Sequence, residues 1–174
     1  MLNPDGGVRV SGARPPRAAV ETITVADLEC PETKSLVESW SRLRGWRAMP
    51  RPTDWLLGSA VSFSAHASLA RVLDGGLDYQ FEFIGEAHVR AYGPREIRSR
   101  VSELARSSPR FGRQLKASYD LVRVSGRPCA FRGVIVAEGT QARSRWFEVA
   151  YLPLGDHETV ECIVNAAVYR PPNA

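Results

Sequence analysis

The chain has 174 residues, 44% of them hydrophobic and 24% charged, with a formal net charge of +4. Such a composition suits a soluble globular domain long enough to bury a core. It is too mildly basic for a dedicated nucleic-acid binder, which carries a denser positive stripe, and it holds no run of about 18 apolar residues that would span a membrane as a helix.

Residues 1–28 are expected to form a flexible arm. Pro4, Pro15 and Pro16, with Gly6, Gly7 and Gly12, interrupt any regular structure, and Arg9, Arg14 and Arg17 keep the segment solvated. No apolar stretch of the kind found in a secretory signal precedes Val20. The β-prone run Thr22-Ile23-Thr24-Val25 either pairs with another strand or stays loose. Cys30, Cys129 and Cys162 are odd in number and form no CxxC pair, which argues against a zinc site and against a disulfide framework. The cytoplasm is the expected compartment.

The first helix is expected over residues 31–44. Pro31 suits the first helical position, Glu32 the positive end of the dipole and Gly45 the stop. Leu36, Val37, Trp40 and Leu43 form its apolar stripe. Met49-Pro50-Arg51-Pro52 forms a rigid turn, and Asp54 suits the cap of a short helix through Leu57. Residues 69–73 and 79–83 read as a hairpin around Asp74-Gly75-Gly76, with Tyr79, Phe81 and Phe83 alternating on one face. Helical turns are expected from Gly85 to Tyr92 and again around Ile97 to Ala105. A stronger helix runs from Pro109 to Ser125-Gly126, burying Phe111, Leu115, Tyr119 and Val122. Three strands close the chain at about 129–137, 143–152 and 160–169, separated by Gly139-Thr140 and Gly155-Asp156.

A strand pair, a cluster of short helices, one longer helix and a three-strand meander is the PAS order, and particular residues sharpen the likeness. The run from Leu36 to Gly45, followed by Met49-Pro50-Arg51, resembles the entry segment of a bacterial PAS family common in alphaproteobacteria and often made of little besides this domain. Phe81-Glu82-Phe83-Ile84-Gly85 with Tyr92-Gly93 resembles its second strand and next helix. Arg145, Glu148 and Leu152-Pro153-Leu154 resemble its penultimate strand. The resemblance spans about 140 residues. Arg95-Glu96-Ile97-Arg98-Ser99-Arg100 departs from it, standing where the family usually places a Leu-Thr-Gly-like turn.

The resemblance implies an α+β domain over residues 29–174, with its core at about 54–170. It would have a five-stranded antiparallel sheet, helices packed on one face and the N-terminal helix outside the core. It also implies a pocket between helices and sheet. The expected wall is Phe81, Phe83, Val89, Tyr92, Phe111, Leu115, Tyr119, Phe147, Val149 and Tyr151, residues that equally suit plain core packing. Haem is disfavoured because the helix from Pro109 to Ser125 contains no His, leaving His88 as the only substitute ligand. Flavin photochemistry is disfavoured because no cysteine is placed for it; the cofactor, if any, stays unassigned.

Strand 143–152 is apolar on both faces, with Phe147, Val149 and Tyr151 on one side and Trp146, Ala150 and Leu152 on the other, so both need cover. The Leu36/Trp40/Leu43 helix covers the second face of its own sheet or of a partner's. A homodimer through Leu36, Val37, Trp40, Leu43 and Trp146 is the expectation.

His66, His88 and His157, with Asp54, Asp74, Asp78 and Glu148, provide acid–base groups but no spacing that catalysis demands. HExxH, GxSxG and a phosphate-cradling loop are all missing. A ketosteroid-isomerase-type cone using Tyr119 or Tyr151 is the enzyme alternative. Arg90, Arg95, Arg98, Arg100, Arg106, Arg110 and Arg113, interleaved with Glu96 and Glu103, form a basic cluster, which suits weak phosphate contact, a solvated face or a docking surface for an acidic partner. The expectation is a cytoplasmic sensory or regulatory protein without its own catalytic output. It would act by binding a small apolar ligand, by contact with a protein partner, or by both, with no metal and no membrane.

Overall fold

A computed structural model of the chain describes residues 20–58, 64–93, 98–136, 144–156 and 158–171. The expected features at residues 1–19, Arg95 to Ile97, Gly139-Thr140 and His157 lie outside these.

The architecture is α+β and follows from one long hairpin. β5 (Ser144–Asp156) and β6 (Thr159–Arg170) pair antiparallel, Phe147 opposite Tyr169, Tyr151 opposite Asn165 and Leu152 opposite Val164. Side chains alternate along each strand, so Phe147, Val149 and Tyr151 face one way and Glu148, Ala150 and Leu152 the other. The turn comes later than the Gly155-Asp156 signal suggests: Asp156 still pairs with Thr159, and Gly155 sits at an irregularity in register. A Cβ at Gly155 would fall 1.9 Å from the Thr159 carbonyl oxygen, so this close approach explains the glycine better than a turn does.

β4 (Cys129–Val136) joins the free side of β5, and β2 (Ala67–Leu73) with β3 (Asp78–Ile84) extends the other side from β6. β1 (Val20–Ile23) then pairs antiparallel with β4, Val20 opposite Gly133 and Ile23 opposite Ala130. The sheet is therefore six-stranded, in the order β1-β4-β5-β6-β2-β3, where five strands were expected. The sixth comes from the end of the stretch read as an arm. Its β-branched residues satisfy the backbone groups of what would otherwise be an open edge at β4.

Helices cover both faces, which corrects the expectation of one. α1 (Pro31–Arg44) and α2 (Pro52–Gly58) lie on the Glu148 side. Leu36, Trp40 and Trp55 are buried in the main core, so α1 does not lie outside it. Trp40 Nε1 donates to the Pro153 carbonyl at 2.7 Å. The physical reason is the two-sided apolar pattern of β5 and β6: leaving one face in water would forfeit about 1.5–3 kcal/mol for a side chain the size of Leu36 alone.

On the opposite face lie α3 (Glu86–Tyr92), α4 (Val101–Ser107) and α5 (Pro109–Ser125). α5 buries Leu115, Tyr119 and Val122 at helical spacing. Gly112 lets it approach α4 closely, since a Cβ there would stand 2.4 Å from the Ala105 Cα.

Candidate functional site

Between the sheet and α3, α4 and α5 lies a partly open cavity of about 360 Å³. Alternation along the strands decides its floor. Phe147, Val149 and Tyr151 of β5 share it with Phe131 and Ile135 of β4, and with Asn165 and Tyr169 of β6. Leu104 and the α5 residues Phe111, Gln114, Leu115, Ala117, Ser118, Tyr119 and Leu121 form the roof, with His88 and Tyr92 at one end. Val20 of β1 reaches the rim. Leu121 is also part-exposed there.

Eight of the ten residues expected on this wall lie on it: Phe81, Tyr92, Phe111, Leu115, Tyr119, Phe147, Val149 and Tyr151. Phe83 and Val89 do not. Phe83 fails because the pairing of β2 with β3 slips: Leu69 is opposite Phe83 but the next residue, Ala70, is opposite Phe81. Glu82 is the extra residue of a bulge, and a bulge inverts which side chains face the core. Ile84, opposite Ser68, takes the wall position instead. On α3 the wall residues are His88 and Tyr92, four apart, and Val89 falls to the side.

The rings brace one another. Tyr92 stacks on Phe111 at 3.9 Å between centroids and meets Tyr169 edge-on at 5.4 Å. Tyr151 packs edge-on against Tyr119 at 5.6 Å and Phe131 at 6.0 Å. Such arrangements favour fixed ring positions over a fluid interior.

Among the described residues, no Asp, Glu, Lys or Arg lines the cavity. His88 is held between a carbonyl and a phenol: Nε2 lies 2.9 Å from the His66 carbonyl oxygen and Nδ1 3.2 Å from the Tyr169 hydroxyl. A ring nitrogen facing a carbonyl must carry the proton, so Nδ1 accepts from Tyr169. Burial holds the His88 pKa down to about 4, from an ordinary 6.5, leaving the ring neutral at pH 7. Burial likewise pushes the Tyr119, Tyr151 and Tyr169 phenols upward, so they remain protonated.

Deeper in, the Ser68 hydroxyl donates to Asn165 Oδ1. The Tyr119 hydroxyl, wholly buried beside Ser68, makes no hydrogen bond of normal geometry. Neither Ser68 nor Asn165 was singled out from the sequence. Asn165 left a trace there, as a lone polar residue in the apolar run from Cys162 to Val168.

Glu148, Asp54 and Asp78, also singled out from the sequence, are occupied elsewhere. Glu148 is buried on the α1 face, and Asp54 pairs with Arg47 at 2.7 Å. Asp78 accepts from the backbone and hydroxyl of Ser102 at the start of α4. Of the residues expected at a dimer interface, Leu36 and Trp40 are buried within the chain, Val37 and Leu43 pack partly against its core, and Trp146 lies beneath the Arg170 guanidinium at 5.3 Å. Arg90, Arg98, Arg100, Arg106, Arg110 and Arg113 are solvent-facing across α3, α4, α5 and the segment before α4. Glu86 lies 3.6 Å from Arg90.

Among the described residues, no helix is long and apolar enough to cross a membrane, and no cluster of His, Cys, Asp and Glu is placed to hold a metal ion. No family model, curated protein or solved structure matches the chain.

Proposed function

We propose that this protein is a PAS-type sensory or regulatory protein that binds a small apolar molecule in the cavity and passes on its state by contact with a protein partner. The observation that carries the reading is the cavity itself: a partly open space of about 360 Å³, walled by braced aromatic rings, where a plain core would be filled. Binding sites for small molecules are typically concave, apolar and roughly 300–1,000 Å³. The element order supports the PAS assignment, with a hairpin, short helices, a longer helix and a meander whose last strand pairs back with the hairpin. A cytoplasmic location is supported by Cys30, Cys129 and Cys162, which all remain free thiols.

Contact with a second copy belongs to the same proposal, but through a different surface from the one expected. With Leu36 and Trp40 turned onto their own sheet, the apolar residues standing furthest into solvent near α1 and α2 are Trp46 and Leu57, 94% and 91% exposed. Large apolar side chains that stand this far out of the surface suit a protein contact.

Native mass spectrometry of the purified chain beside a denatured control tests both parts. A dimer carrying extra mass that is lost on denaturation supports the reading. An apo monomer that takes up no small apolar compound overturns it.

A further inference from the structure

The shape of the cavity restricts what it can hold. Its lining draws on all six strands: Val20 of β1, Phe131 of β4, Val149 of β5, Asn165 of β6, Ser68 of β2 and Phe81 of β3. Neighbouring strands stand about 4.8 Å apart, so the two outermost are roughly 24 Å apart across the sheet. A round space of about 360 Å³ would measure only about 9 Å across, under two strand spacings. Even with side chains reaching inward from either end, the space must be drawn out across the strands.

Its two ends differ. Phe81 of β3 and Leu104 of α4 are both buried. At the β1 end Val20 is 43% exposed and Leu121 of α5 is 47% exposed. Gln114 and Ala117, three and seven residues from each other and from Leu121 along one stripe of α5, face solvent as well. The mouth therefore lies between α5 and the β1–β4 side of the sheet. Polar groups are present on that side, in Gln114 and Ser118 one turn apart. Along the length of the cavity no ionised side chain is found among the described residues, so a charge drawn inside would stay unpaired.

From these features we infer that the cavity takes a single extended alkyl or acyl chain, its tail at the closed end by Phe81 and Leu104 and its polar head in the mouth by Gln114 and Ser118. The inference rests on the reading of the cavity as a ligand site and adds the shape and chemistry of the ligand.

Four probes of equal carbon number test it on the full chain: 1-undecanol, undecanoate, 1-adamantanemethanol and 2-naphthalenemethanol. Binding is followed by nitrogen–proton NMR, and the affinities of the three alcohols are corrected for their own partition from water into octanol. After correction, 1-undecanol is expected to bind about ten-fold more tightly than the compact and the flat alcohol. It should shift amide resonances at both ends, near Phe81 and Leu104 and near Val20 and Leu121. Undecanoate should bind within about ten-fold of 1-undecanol, because its carboxylate stays in water at the mouth. From 1-hexanol to 1-decanol, affinity should rise about four-fold with each added methylene.

Corrected binding of the adamantane or naphthalene alcohol as tight as that of 1-undecanol would overturn the inference while leaving the cavity a ligand site. So would 1-undecanol shifts confined to one end, a loss of undecanoate binding, or a flat response from 1-hexanol to 1-decanol. If none of the probes shifts a cavity resonance, the ligand-site reading itself falls.

Discussion

The Thr33 hydroxyl on α1 donates to the carboxylate of Glu148 on β5 at 2.6 Å, joining residues 115 positions apart. The same carboxylate accepts from the backbone N–H of Cys30 at 2.8 Å and of Glu29 at 2.9 Å. Arg132, directly opposite on β4, closes the set at 2.9 Å. The sheet thereby supplies the cap that α1 lacks locally, because the Cys30 side chain at its N-cap position makes no capping bond. Glu148→Ala would strand the Glu29 and Cys30 N–H groups and leave Arg132 with only Glu29 and the Asp27 carbonyl, at a cost of about 2–5 kcal/mol. Urea denaturation measures the loss, and hydrogen exchange should show α1 as the region that opens. An unchanged midpoint would mean that α1 is held by its apolar stripe alone.

Acid should weaken the fold in two stages. The pKa of His88 is about 4 in the folded chain and 6.5 in the unfolded one, so between these values the unfolded chain binds the extra proton. Stability then falls as pH drops from about 6.5 to about 4, by up to roughly 3 kcal/mol. Glu148 acts lower down. Burial alone would raise its pKa, but bonds from Thr33, Cys30, Glu29 and Arg132 outweigh this and bring it to about 2, from 4.5. Its contribution is complete above about 4.5 and is lost as pH falls toward 2. Urea midpoints at pH 7.5 and 5.0 check the first stage: His88→Gln should lose much less than the wild type on acidification. Equal losses in the two proteins would assign the effect to other groups.

Two tyrosines on neighbouring elements should answer oppositely to loss of the hydroxyl. Tyr79 donates to Asp120 at 2.6 Å, so Tyr79→Phe should cost about 1–2 kcal/mol. Tyr119 makes no such bond, and Tyr119→Phe should leave the ligand-free protein unchanged or up to about 1 kcal/mol more stable. Thermal melts of both variants suffice. A clear loss in Tyr119→Phe would mean that its hydroxyl is already satisfied, by Ser68 beside it.

Gly112→Ala sets helix propensity against space. Alanine is the better helix former by about 1 kcal/mol, yet its Cβ would press on the Ala105 backbone at 2.4 Å. Backbone cannot turn aside as a side chain does, so a net loss of about 1–3 kcal/mol is expected. A melting temperature above that of the wild type would show that α4 and α5 separate freely.

Local chemistry made some of this fold readable. α1 and α5 occupy the spans expected of them because each has a proline at its first position and a glycine just past its end. Partners distant in the chain hid the rest. The Glu82 bulge, which removes Phe83 from the wall, exists only in the pairing of β2 with β3. Ser68 and Asn165 meet across 97 positions, so neither looks like a site residue until β2 lies beside β6. Gly155 carried a turn signal, but it answers to the Thr159 carbonyl rather than to a turn. The docking of α1 was left open between its own sheet and a partner's because the apolar pattern of β5 demands a cover without naming its source.

β5 has a division of labour within three consecutive residues. Phe147 and Val149 line the cavity, and Glu148 between them holds the start of α1. A guest that shifted or twisted this strand by a fraction of an ångström would displace the α1 anchor in the same movement, through a single peptide link on either side. Under the proposed function, news of an occupied interior would have no distance to travel: the strand that lines the cavity on its underside holds the α1 anchor on its upper side.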